Sequence, residues 1–189
     1  MRLEGRVIGV TGAGVGIGRA CALAYGREGA SVAVTDLDGA AAERVAGELR
    51  SAGCSAGAWV LDVTNGASVG PLLLEIERRL GPLDVWHNNA GVSSMNRFVD
   101  LTDEEWDRNM AVNAKGTFLC SRGFVRYLIE RGRPGRIINT ASMAGKHGAA
   151  PFLAVPEQNA AERQRARFDE GASLEEIYAE QVRAGERIG

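Results

Sequence analysis

The sequence predicts an α/β fold, a doubly wound parallel sheet with helices on both faces. Two observations carry that prediction. Short apolar, often β-branched runs alternate five times with longer segments of helical spacing, as successive βα units do. The first run passes into the first helical segment through a glycine-rich turn, Thr11-Gly12-Ala13-Gly14-Val15-Gly16-Ile17-Gly18. A strand that turns sharply into a helix gathers backbone N–H groups at one point, where the helix terminus adds partial positive charge.

The bulk properties bound the answer. At 189 residues the chain is one domain by size and long enough for a sizeable core. Hydrophobic residues make up 45% and charged residues 24%, as in ordinary soluble proteins. A net charge of −2 gives no reason to expect nucleic acid or an anionic membrane as partner. No apolar run is long enough to span a bilayer, and Met1-Arg2-Leu3-Glu4 does not begin a signal peptide. Cys21, Cys54 and Cys120 are odd in number with no C-x-x-C pair, so reduced thiols and a cytoplasmic location are expected. Two histidines, His87 and His147, give a metal site little to work with, and none is expected.

The elements follow in order. Arg6 to Val10 reads as a buried strand, and the helix after the turn runs from Ile17 to about Gly29. The turn itself is T-G-x-x-x-G-x-G. A G-x-G-x-x-G fingerprint would need glycine where Ile17 or Arg19 stands, and a Walker loop would need a lysine, the first of which is Lys115. Ser31 to Asp36 is the second strand, with Asp36 at its C-terminal end. Lying about 20 residues past the glycines of a βαβ unit, Asp36 is placed to reach an adenosine ribose. A carboxylate there accepts from both ribose hydroxyls and repels a 2′-phosphate. No arginine or lysine adjoins it in Leu37-Asp38-Gly39, which favours NAD over NADP. Ala40 to Ser51 is a surface helix, and Ala58 to Val63 a third strand ending at Asp62. Asp62 also reads locally as a cap for the helix after Thr64-Asn65.

Pro71 to Leu80 is an amphipathic helix stopped by Gly81-Pro82, and Leu83 to His87 a fourth strand leading into Asn88-Asn89-Ala90-Gly91. Small residues there let the chain pass under a nucleotide, and the two amides can tie neighbouring strand ends together. His87 reads as a satisfied strand residue. Thr102-Asp103-Glu104-Glu105 is a capping box that opens a long helical region to about Arg131. Pro134-Gly135 breaks the chain before a fifth strand, Arg136 to Thr140, which ends at Ala141-Ser142-Met143. Taken alone, a mid-helix Asn113 is a solvated or packing residue and a post-strand Ser142 a turn former.

Together T-G-x-x-x-G-x-G, Asp36, Asp62, N-N-A-G, Asn113 and Ser142 resemble the short-chain dehydrogenase/reductase family of the NAD-dependent type, continuously to about Ala154. The resemblance implies a Rossmann-like NAD-binding domain over 1–154 with most of an active site. It implies that Thr11, Gly12, Gly16, Ile17 and Gly18 cradle the diphosphate, while Asp36 and Leu37 meet the ribose. It implies further that Asp62 and the Val63 N–H take the adenine, and that Asn89, Ala90, Gly91 and Thr140 line the nucleotide. Ser142 would polarise the substrate carbonyl, and the Asn113 backbone carbonyl would hold a water in a proton relay. The implied reaction is hydride transfer between NAD(H) and a small-molecule secondary alcohol or ketone. Met143-Ala144-Gly145-Lys146 looks like the corresponding segment of polyol and diacetyl-type reductases. A homo-oligomer is implied if the full family fold is present.

The resemblance then fails at its chemical centre. The family's general acid/base is the tyrosine of a Y-x-x-x-K pair, and position 155, where it would be due, is Val155. Tyr25, Tyr127 and Tyr178 are followed four residues on by Gly29, Arg131 and Val182, and the only lysines are Lys115 and Lys146. Residues 155–189 are charged and helical in pattern, and Leu174-Glu175-Glu176-Ile177-Tyr178 resembles the family's substrate lid. An apolar helix and a strand are missing between, leaving the expected sheet incomplete at its C-terminal side. Two readings stay open. The sequence omits segments of a longer protein, which the abrupt switch favours, or it is a shortened chain that binds NAD or a partner without catalysis, or folds poorly.

Overall fold

The computed structural model describes residues 1–142, apart from 95 and 97. What the sequence leads one to expect of 143–189, including Lys146, Val155, Tyr178 and the lid-like segment, lies outside the described residues. Five parallel strands form one sheet: β1 (Val7–Thr11), β2 (Ser31–Asp36), β3 (Ala56–Val60), β4 (Val85–Asn88) and β5 (Arg136–Asn139). Their spatial order is β3-β2-β1-β4-β5, so the chain reverses direction across the sheet between β1 and β4. That junction is where a doubly wound sheet opens a crevice at its carboxyl edge.

The helices between the strands are α1 (Gly16–Arg27), α2 (Gly39–Ser51), α3 (Gly66–Leu80), α4 (Asp103–Asn109) and α5 (Thr117–Arg131). A π-helical turn, Met110–Gly116, joins α4 to α5 without a break. Successive strand side chains take opposite faces and so build two cores. Ile8, Val10, Val32, Val34 and Val85 pack with Cys21, Ala22 and Tyr25 of α1 and Val45 and Leu49 of α2. Ala33, Trp59 and Trp86 pack with Leu73 and Ile76 of α3 and Cys120, Phe124 and Tyr127 of α5. In the second core Phe124 stacks between Trp86 and Tyr127, at centroid distances of 6.2 and 6.0 Å.

Boundaries moved where backbone partners decided them. β3 runs from Ala56 to Val60, and Leu61 N–H still gives the Asp36 carbonyl the last rung of the parallel ladder, at 2.9 Å. α3 begins at Gly66 with Pro71 inside it, since the Asn65 side chain caps it by accepting from Ala67 N–H at 3.2 Å. The Thr102–Glu105 capping box forms in both directions, and Gly132 closes α5 in the left-handed conformation.

Phe124 tests how much the second core contributes. Phe124→Ala removes a fully buried ring, so urea unfolding should show a loss of about 3–5 kcal/mol. The exposed Ile138→Ala should change stability by less than about 0.5 kcal/mol.

Candidate functional site

The carboxyl edge of the sheet brings the turn after β1 against the turn after β4. Thr11 is buried, and its hydroxyl oxygen accepts from the N–H groups of Asn89 and Ala90, both at 3.0 Å. The Asn89 side chain returns the contact by donating from Nδ2 to the carbonyls of Thr11 and Gly12, both at 3.1 Å. The neighbouring Asn88 works on the other flank. Its Nδ2 donates to Ser121 Oγ and Asn139 Oδ1 at 2.8 Å each, and its Oδ1 accepts from Trp86 Nε1 at 3.0 Å. One asparagine therefore ties β4 to β1 and the other ties β4 to β5 and α5.

Glycine is required at this crossing. A Cβ on Gly12 would stand 2.7 Å from the Ala90 Cα, and one on Gly18 would stand 2.2 Å from the Gly12 carbonyl oxygen. Beyond the crossing the turn opens: Gly16 has φ +57° with nothing within 4 Å of where a side chain would project. The N-cap of α1 is Val15, which has no oxygen to offer the first-turn N–H groups. Those groups therefore keep their donors for an anion, and the cradle fits a diphosphate.

Asp36 closes the side of this cradle. Its Oδ2 accepts from Gly14 N–H at 2.8 Å and its Oδ1 from Asp38 N–H at 3.0 Å. Two backbone bonds orient the carboxylate and leave about two of its four acceptor sites for a ligand. Leu37 is exposed beside it, and Val60, the register partner of Asp36 on β3, is exposed as well. Asp62 lies past the end of β3, where its Oδ1 accepts from Thr64 N–H at 2.9 Å and Thr64 Oγ1 at 2.6 Å. It thus makes a local turn while Asn65 caps α3. Val63 next to it is buried.

On the far side of the crevice Asn113 sits in the π-helical turn. Its side chain pairs with the backbone of Val92, accepting from N–H and donating to the carbonyl, both at 2.8 Å. Asn113 therefore anchors the segment just past Gly91. Its own carbonyl accepts from Thr117 Oγ1 at 2.8 Å. Thr140 and Ser142 follow β5 at the same edge, with Ser142 partly buried. The site residues expected from sequence thus collect along one edge of the sheet.

Three participants were not legible in the sequence. Gly14 is the donor that aims Asp36, and it lies at a variable position of the turn motif. Tyr25 and His87 are 62 residues apart, yet Tyr25 Oη lies 3.1 Å from His87 Nδ1. His87 Nε2 is 3.0 Å from Thr140 Oγ1, so both ring nitrogens are engaged. Burial pushes the His87 pKa from 6.5 down to about 4 and keeps the ring neutral. The cysteines are all free; burial pushes Cys21 up to about 11 and Cys120 up to about 12, which leaves both unreactive. Among the described residues no cluster could hold a metal, and no helix is long and apolar enough to cross a membrane.

Known proteins place these features in context. Residues 6–154 match the family model described as short chain dehydrogenase. A sorbitol dehydrogenase of Cereibacter sphaeroides is 43% identical over 150 residues, 79% of this chain and 57% of that protein. A 2-(S)-hydroxypropyl-CoM dehydrogenase 3 of Xanthobacter autotrophicus is 42% identical, over 81% of this chain and 60% of that one. A solved short-chain type dehydrogenase/reductase from Mycobacterium marinum superposes with a TM-score of 0.76 at 36% identity. It covers 80% of this chain and 62% of its own. The chain thus spans 57% and 60% of the length of these two curated relatives.

The depressed pKa of His87 gives stability a signed pH dependence. The unfolded imidazole takes a proton below 6.5, whereas the folded one resists until about 4. Stability is therefore full above the upper value and is lost as pH falls through this window, by up to about 3 kcal/mol. Urea unfolding between about pH 7 and pH 5 should decline more steeply for the wild type than for His87→Gln. Parallel declines would contradict the assignment.

Proposed function

The chain belongs to the short chain dehydrogenase family, and on that premise we propose an NAD-dependent oxidoreductase acting on a secondary alcohol or ketone. The observation that carries the reading is the Asp36 carboxylate, oriented beside the glycine-rich turn by Gly14 N–H with acceptor sites to spare. When bound, NAD(H) takes up or supplies the hydride. The N–H groups at Gly16, Ile17 and Gly18 hold the diphosphate, Asp36 accepts from the ribose hydroxyls beside Leu37, and Asp62 and Val63 meet the adenine. Thr11, Gly12, Asn89, Ala90, Gly91 and Thr140 shape the crevice, and Ser142 donates to the substrate oxygen. Asn113 carries a proton-relay water on its carbonyl. The relative described as a sorbitol dehydrogenase supports a polyol or small hydroxy-ketone as substrate. Free cysteines support a cytoplasmic location. The exposed Trp106, Met110, Phe118 and Ile129 along α4, the π-helical turn and α5 support a homo-oligomer.

A second reading, a non-catalytic NAD-binding protein, is favoured by the state of the two described tyrosines. Tyr25 is buried on His87, and Tyr127 Oη accepts from Leu83 N–H at 3.1 Å. Neither is free to protonate an alkoxide at the crevice. Ser142 is too weakly acidic to replace them near neutral pH, and general acid catalysis is typically worth about 10²–10⁴-fold.

Two outcomes follow. NADH fluorescence titration should give tighter binding than NADPH by about 1–3 kcal/mol, or roughly 5- to 150-fold, with Asp36→Ala narrowing the gap. Equal or tighter NADPH binding would refute the assignment. A protein of these 189 residues should bind NADH yet show no turnover at 340 nm with secondary alcohols and polyols. Robust turnover abolished by Ser142→Ala would require another proton donor within the chain.

A further inference from the structure

His87 is buried in the sheet and meets the proposed ligand site only through Thr140, from which an unbroken line of side chains leads to the glycine-rich turn. The direction of every hydrogen bond in that line follows from its last member. The Thr11 and Gly12 carbonyls only accept, so the nitrogen of the Asn89 amide must face them, at 3.1 Å each. This turns Asn89 Oδ1 toward Thr140 Oγ1, at 3.3 Å. An amide oxygen only accepts as well, so Thr140 spends its single proton there. Thr140 Oγ1 must then accept from His87 Nε2, 3.0 Å away, which places the ring proton on Nε2. Nδ1 is left bare and accepts from the Tyr25 hydroxyl at 3.1 Å. With all contacts made, only one arrangement of protons satisfies the line.

We propose that His87, held in its Nε2–H tautomer by Tyr25, is a positioning residue for the glycine-rich turn, acting through Thr140 on the Asn89 amide. The Asn89 amide could turn over by half a rotation and present its oxygen to the two carbonyls, an arrangement that repels. The Thr140 hydroxyl opposes that rotation only while its proton points at Asn89, and it does so only while His87 donates to it. Thr140 is also two residues before Ser142, and its N–H donates to the Asn88 carbonyl at 2.9 Å. One imidazole thus couples the turn after β1 to the strand end that carries Ser142. The step from the turn to a bound dinucleotide rests on the function proposed above; the proton order does not.

The test uses the full chain labelled with ¹⁵N-histidine, with His147→Gln separating the two histidine signals. Long-range ¹H–¹⁵N correlation on this protein at neutral pH should show His87 protonated at Nε2 and bare at Nδ1. Protonation at Nδ1, or a mixture of tautomers, overturns the proposal without any core substitution. Next, backbone amide signals of Thr11 to Gly14 and NADH affinity are compared in His87→Leu and His87→Gln. Glutamine can place an N–H where Nε2 stood, whereas leucine cannot, and both lack the aromatic ring. Leucine should displace the turn signals and weaken NADH about fivefold, and glutamine should restore both toward wild type. A merely space-filling histidine would leave the two variants alike, which also overturns the proposal. If His87 is Nε2-protonated and only leucine displaces the turn, but the wild type binds no NADH, the positioning role stands and the nucleotide reading falls.

Discussion

The site depends on how closely two backbones pass at the carboxyl edge of the sheet. The Gly12 carbonyl stands 2.2 Å from where a Cβ on residue 18 would be, and the Ala90 Cα stands 2.7 Å from where one on residue 12 would be. Backbone cannot yield at such distances as a flexible side chain can. The separation between the turn after β1 and the turn after β4 is therefore set by the absence of side chains. Thr11 and Asn89 then lock it with hydrogen bonds in both directions. Beyond this crossing α1 begins with its first N–H groups beside open space at Gly16. The fold serves that geometry: the reversal between β1 and β4 is what brings the two turns side by side.

Much of this was legible because the controlling features are local. The second strand, Ser31–Asp36, has the bounds its β-branched run suggests, and the capping box at Thr102 is readable as four consecutive residues. Parallel order follows from alternation of strands with helices. The amides of Asn88 and Asn89 tie strand ends, as their place after a strand suggests. What escaped was set by partners distant in sequence. The π-helical turn around Asn113 has no signature in the chain, yet it is where Asn113 reaches the backbone of Val92. Tyr25 looks like any apolar helix residue until His87 arrives from 62 positions away.

Charge and burial divide the titratable groups into two kinds. His87, Cys21 and Cys120 lie in the cores and are held neutral there by desolvation. Asp36 and Asp62 lie at the rim with backbone donors on them and acceptor sites left over, as groups meant to meet a ligand do. A reaction that ends with protonation of an alkoxide needs a donor of neither kind. The two described tyrosines are committed to His87 and Leu83, so neither supplies that donor to the proposed site.

In the function proposed above, the β1 and β4 turns and Asp36 together form a dinucleotide site. A crystal structure of the protein grown with NADH tests it most directly. The diphosphate should lie over the start of α1, against the N–H groups of Gly16 to Gly18, with the adenosine ribose hydroxyls on the Asp36 carboxylate. A dinucleotide seated elsewhere on the protein, or one in this cradle with its ribose turned away from Asp36, would contradict it.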